Sequence, residues 1–131
     1  MELADIAGIV ARAAAAEPSI VAVWIFGSRS RGEERRRSDL DLAILTDAAR
    51  PPAIEDRLGG EIAQRTGLDV DVCRFEVASP VLAFEIVADG RRVFARDDER
   101  ADLAEERALR TYRDTEHLRR VQNHYLYGDP L

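Results

Sequence analysis

A glycine–serine pair, Gly27-Ser28, is followed after ten residues by Asp39-Leu40-Asp41, which sets a phosphate-tolerant turn beside two alternating carboxylates. In an extended strand, residues two apart face the same way. Asp39 and Asp41 therefore share a face, about 7 Å apart along the backbone, while Leu40 and Leu42 turn to the core. Carboxylates held this close repel each other unless a cation stands between them. Magnesium takes hard oxygen ligands and is often held by one or two carboxylates together with substrate phosphates. The pair thus suits a nucleoside triphosphate with its magnesium, one ion or two. A glycine lets phosphate approach the backbone closely, and the Ser28 hydroxyl and nearby amides can donate to phosphate oxygens. Arg29 and Arg31 can add charge-assisted bonds to the same anion.

A two-metal phosphoryl transfer needs a further acid near the nucleophile, either to complete a metal site or to accept the proton. The run Leu68 to Phe75 (LDVDVCRF) offers Asp69 and Asp71 on one face. Asp71 is central and is the preferred third carboxylate; Asp69 lies nearer the start and is expected to be solvated. Cys73 shares the Asp71 face and is expected to be a buried, structural thiol. His117 and His124 have no ligand cluster around them and receive no metal role. Arg35, Arg36 and Arg37 are expected to form a solvated loop or a partner-facing patch.

These residues need elements to position them. Leu3, Ile6, Ile9, Val10 and Ala13 recur at helical spacing, which predicts a helix over 2–16 ended by Glu17-Pro18-Ser19. Ile20 to Phe26 (IVAVWIF) is a continuous apolar run, as expected of a strand buried on both faces. A polar, Arg-rich turn and loop follow, then a strand over 39–46. Ile54, Leu58 and Ile62 predict a helix closed by Gly67. A third strand spans 68–75. Ser79-Pro80 pairs an N-cap with proline at the first helical position, opening a helix that Gly90 ends after Asp89. Arg91 to Ala95 is a short strand, and Asp97 begins one long helix running toward Tyr127. The expected class is α+β: a mixed sheet flanked by helices, with a long C-terminal helix, all in a single domain over 1–131.

Composition narrows the function. The chain has 131 residues, 46% hydrophobic and 34% charged, with a net charge of −6. That acidic balance disfavours direct binding of nucleic acid. All 19 basic residues are arginine, which reflects base composition more than mechanism. Cys73 is the lone cysteine, so no internal disulfide can form and a reducing cytoplasmic setting is expected. There is no signal-like start and no apolar run near the ~18 residues of a membrane span. The aromatic tail Tyr125-Leu126-Tyr127 is a candidate surface for docking a partner, the alternative being a fraying helix end.

The stretch GSRSRGEERRRSDLDLAI, residues 27 to 44, with its preceding and following strands and the later Asp71, resembles the nucleotidyltransferase superfamily related to DNA polymerase β. The short chain is similar to its minimal nucleotidyltransferase subgroup. The resemblance implies that Gly27, Ser28 and Arg29 bind ATP and that Asp39, Asp41 and Asp71 are catalytic and hold Mg2+. It also implies an antitoxin that moves AMP from ATP to a tyrosine of a cognate HEPN-domain RNase toxin, in a hetero-oligomer with it. Two alternatives are a catalytically idle scaffold that neutralises a partner by binding, and a transferase acting on a small molecule such as an aminoglycoside. Arg119 and His124 match the loose Arg-x4–6-His pattern of HEPN RNases themselves; a mixed chain is not a HEPN bundle, and the match is read as coincidence.

Overall fold

The computed structural model describes residues 1–27 and 40–131. Among these described residues, four strands form one sheet in the order β3-β2-β1-β4. They are β1 (Ile20–Phe26), β2 (Leu40–Thr46), β3 (Val70–Arg74) and β4 (Arg91–Ala95). β1 runs antiparallel to both β2 and β4, and β2 runs parallel to β3. The sheet is therefore mixed, as expected.

Alternation along the strands gives the sheet two apolar faces. Val23, Ile25, Leu40, Leu42 and Ile44 face one side, packing with Ile6 and Val10 of α1 (Leu3–Ala15) and Ile54, Leu58 and Ile62 of α2 (Ile54–Thr66). Ala22, Trp24 and Ala43 face the other, with Ala83 and Ile86 of α3 (Pro80–Asp89) and Ala101 and Ala108 of α4 (Asp98–Asp114). A central strand covered on both faces must be apolar throughout, which accounts for the unbroken run of β1. Trp24 is 1% exposed and stacks on Phe75 with ring centroids 4.7 Å apart. Burying side chains of this size contributes roughly 1.5–3 kcal/mol each.

Several ends follow local rules. Ser79 Oγ accepts from the Leu82 amide at 3.2 Å, capping α3 as its sequence predicts. Gly67 closes α2 with φ 72. Gly90 ends α3 for a different reason, having an ordinary φ of −84. A Cβ there would lie 2.1 Å from the Ile86 carbonyl oxygen, so space, rather than handedness, demands glycine. The open carbonyls at the end of α1 are met by Arg96, whose guanidinium donates to Ala14, Ala15 and Glu17 and also to Ile20 at the start of β1.

Two elements differ in extent from the expectation. The third strand spans 70–74, because Phe75–Val77 turns into a 3-10 segment that brings the Phe75 ring into the core. There Glu76 accepts from the Thr46 amide at 3.2 Å and from the Thr46 hydroxyl. The last helix is broken at Thr115 into α4 and α5 (Glu116–Tyr127). The Thr115 hydroxyl donates to the Thr111 carbonyl at 2.8 Å, and the Arg119 guanidinium takes the Tyr112 carbonyl at 2.7 Å. Side chains thus compete for carbonyls that an unbroken helix would keep for its own amides.

Candidate active site

The sheet register brings the candidate residues together at one end. β1 delivers Gly27 immediately after its last residue, Phe26, and Phe26 pairs with Asp41 across the antiparallel ladder. On the far side of β2, Asp41 pairs with Asp71 in the parallel ladder. Residues in register on neighbouring strands are ~4.8 Å apart and point to the same face. That face is the one carrying Ala43 and Cys73, since Leu40 and Leu42 are fully buried on the other. Asp41 is partly buried and Asp71 is exposed.

Gly27 is fitted to this arrangement. Its φ is 76, in the left-handed region. A Cβ at Gly27 would stand 2.5 Å from Asp41 Oδ2. The turn therefore runs against the Asp41 carboxylate, and a side chain there would have to push that carboxylate aside as well as hold a positive φ. Backbone amides beside carboxylate oxygens are the kinds of group that a phosphate and a hard cation need.

The charge of the pair is felt nearby. The Cys73 thiol is pushed up from 9.0 to about 11, chiefly by burial and then by the negative charges of Asp71 and Asp41. Cys73 is partly buried against the second core face, consistent with the structural role expected of it.

Ser28, Arg29, Arg31, Arg35 to Arg37 and Asp39 lie outside the described residues. Among the described residues no group of three possible ligands gathers round a point. The expected set draws two of its three carboxylates, Asp41 and Asp71, from this region. Asp69 falls just before β3, exposed, with its carbonyl accepting from the Leu40 amide at 2.8 Å. It serves the ladder through its backbone. His117 is exposed, and His124 Nδ1 lies 2.8 Å from the Asp129 carbonyl oxygen. Arg119 is occupied at the Thr115 break. Both members of the Arg-x4-His pattern thus have structural tasks here.

A buttress beside the site had no signal in the sequence. Arg92, paired with Trp24 across β1–β4, binds Asp102 at 2.7 Å and Asp98 at 3.4 Å and also meets Glu105, all three acids lying on α4. Trp24 Nε1 donates to Glu105 at 3.3 Å. Partly desolvated, Arg92 is still held above its ordinary titration range by its bonds to Asp102 and Glu105. The network ties α4 to the central strand. Its members are as much as 81 residues apart, a separation that no local pattern reports. A separate groove of about 220 Å3 between Leu45, Phe75, Pro80 and Ala108 opens toward the other end of β2. Its one acid, Glu76, is engaged by Thr46, so it offers no carboxylate pair.

The family model for polymerase beta nucleotidyltransferases matches residues 10–99, which span Gly27, Asp41 and Asp71. The chain belongs to that family. Among curated proteins, this nucleotidyltransferase is 31% identical over 84 residues to the protein adenylyltransferase MntA of Shewanella oneidensis, a match covering 63% of this chain and 60% of that protein. Among solved structures it resembles a toxin–antitoxin chain crystallised with AMP-PNP, with TM-score 0.77, 22% identity and coverage of 88% and 93% of the two chains. It also resembles a chain from the complex of the tri-AMPylated Shewanella oneidensis HEPN toxin with its MNT antitoxin, with TM-score 0.74, 19% identity and coverage of 91% and 93%. At these identities the two structures establish the nucleotidyltransferase fold. No helix among the described residues is long and apolar enough to cross a membrane.

Proposed function

We propose that the chain is an antitoxin-type protein adenylyltransferase that moves AMP from ATP to a tyrosine of a cognate HEPN RNase toxin, in the cytoplasm, and so neutralises it. The observation that carries this reading is the in-register pairing of Asp41 with Asp71, with the Gly27 turn pressed against Asp41. The similarity to MntA, and to chains from complexes with an AMPylated toxin and with an ATP analogue, supports the choice of donor and partner.

The residues fit magnesium: a set of oxygen donors on one sheet face beside a turn open to phosphate. Asp39, Asp41 and Asp71 would hold it, and bound Mg2+ supplies charge neutralisation on the triphosphate. The Gly27-Ser28 turn, with Arg29, receives the phosphates. Asp71, exposed at the front, meets the incoming phenol and can take its proton as the oxygen attacks the α-phosphorus in line and pyrophosphate leaves. β2 and β3 fix Asp41 and Asp71, so most of the catalysis is positioning and preorganised charge.

The test is to incubate the chain, its toxin partner, Mg2+ and labelled ATP. A labelled tyrosine on the partner with a parallel loss of RNase activity is expected, and Asp39→Asn or Asp41→Asn should abolish both. Neutralisation without labelling would replace this reading with the scaffold. Labelling of a small molecule in preference to the partner would replace it with the third.

A further inference from the structure

We propose that Tyr125 and Tyr127 are acceptors for the chain's own nucleotidyl transfer, making the end of α5 a self-modification site. The inference rests on the adenylyl-transfer reading above and extends it from a partner's tyrosine to tyrosines of this chain.

A side chain can serve as acceptor only if its hydroxyl can leave its own surroundings and enter a catalytic site. The chain has three tyrosines, and the fold sorts them. Tyr112 is held in a stack: its ring centroid lies 4.0 Å from that of Phe84 and 3.6 Å from the Arg119 guanidinium carbon. It is committed to joining α3, α4 and α5. Tyr125 and Tyr127 are 80% and 75% exposed, on the last turn of a helix in which no residue is buried. Leu126 between them is 71% exposed, so the whole tip stands clear of the core.

The tip is presented on a firm base. The Phe84–Tyr112–Arg119 stack and the Thr115 bonds hold the root of α5, and Gly128 ends the helix with φ 74. At the recipient end, Asp71 is exposed at the edge of the carboxylate pair.

The chemistry balances without a further reactant. A phenol titrates near 10, within reach of carboxylate-assisted proton removal. The Tyr125 or Tyr127 oxygen attacks the α-phosphorus of ATP. The tyrosine O–P bond forms as the bond from the α-phosphorus to the oxygen bridging to the β-phosphorus breaks. Pyrophosphate leaves with that electron pair, and the phenol proton passes to a site carboxylate and then to solvent.

The experiment uses the full chain with Mg2+ and ATP labelled at the α-phosphate, alone and in parallel with its toxin partner, followed by peptide mapping. Label on the peptide carrying Tyr125 and Tyr127 is expected. It should be absent from Tyr112, lost in Asp41→Asn, and lost in the double variant Tyr125→Phe, Tyr127→Phe, which should melt and bind labelled ATP as the wild type does. Both substitutions lie at exposed positions, so the double variant keeps the fold. A labelled partner beside an unlabelled chain overturns this proposal and leaves the adenylyl-transfer reading standing. Label that persists in the double variant overturns the site assignment. No label on either protein overturns both.

Discussion

Asp41 and Asp71 face each other across the parallel β2–β3 ladder, and a side chain at Gly27 would stand 2.5 Å from the Asp41 carboxylate. Three segments far apart in sequence therefore converge on one small, negatively charged corner of the sheet. The rest of the fold holds that corner in place, with apolar packing on both faces of β1 and β2.

Gly27→Ala should be costly twice over. The residue would be held at positive φ, for about 1–3 kcal/mol, and its methyl group would displace the Asp41 carboxylate. Urea denaturation should show the loss of stability, and adenylyl transfer should fall further than that loss explains. An alanine variant of normal stability and activity would place the turn away from Asp41.

Asp71→Asn should separate stability from function. Like charges directly opposite on neighbouring strands are destabilising, in a pair scale of ~0.2–1 kcal/mol. Without metal the variant should therefore be slightly more stable than the wild type. It should also lose the stabilisation that Mg2+ and ATP give the wild type, and lose transfer activity by at least ~100-fold, the order seen when one preorganised charge-stabilising group is removed. Thermal melts with and without Mg2+-ATP, alongside rate measurements, check both halves.

How legible the site was depends on how local its parts are. Ser79, Gly67 and the apolar periods of α1 and α2 announce their elements from neighbouring residues, and the structure follows them. The expected strand over 68–75 held both Asp69 and Asp71; in the structure Asp71 lies inside β3 and Asp69 just before it. The Arg92–Glu105–Trp24 buttress and the Arg96 cap on α1 join residues 13 to 82 positions apart, and only the folded chain shows them. The break at Thr115 was hidden for another reason. Threonine in a helical run carries no stop signal by itself, and it becomes one here because Arg119 takes the Tyr112 carbonyl.

That break gives a prediction for the C-terminal arm. Arg119→Ala removes the cation over Tyr112 and the bonds to Tyr112 and Thr115. Cation–π contacts of this kind contribute about 0.5–1 kcal/mol at exposed sites. Hydrogen exchange of the α5 amides should quicken while exchange in β1 and β2 stays as in the wild type. Uniform quickening through the sheet would mean that the arm is part of the core's cooperative unit.

Cys73 reports the charge of the site in the metal-free protein. Burial and the carboxylates of Asp71 and Asp41 disfavour its thiolate and move its titration from 9.0 to about 11. A raised folded value means that the associated stability is complete below pH ~9 and is lost as the pH climbs toward ~11. In EDTA, alkylation of the native chain should be slow at pH 8 and rise over that upper range, and Asp71→Asn should shift the rise to lower pH. A half-maximum at or below 9 would show that the thiol does not sense the pair.

The position of the metal tests this active site most directly. Crystals grown with Mn2+ in place of Mg2+ and a non-hydrolysable ATP analogue would show it by anomalous scattering. We predict metal density bounded by the carboxylates of Asp39, Asp41 and Asp71, with the triphosphate against the Gly27-Ser28 turn. Metal and nucleotide bound elsewhere, with Asp41 and Asp71 contacting neither, would contradict it.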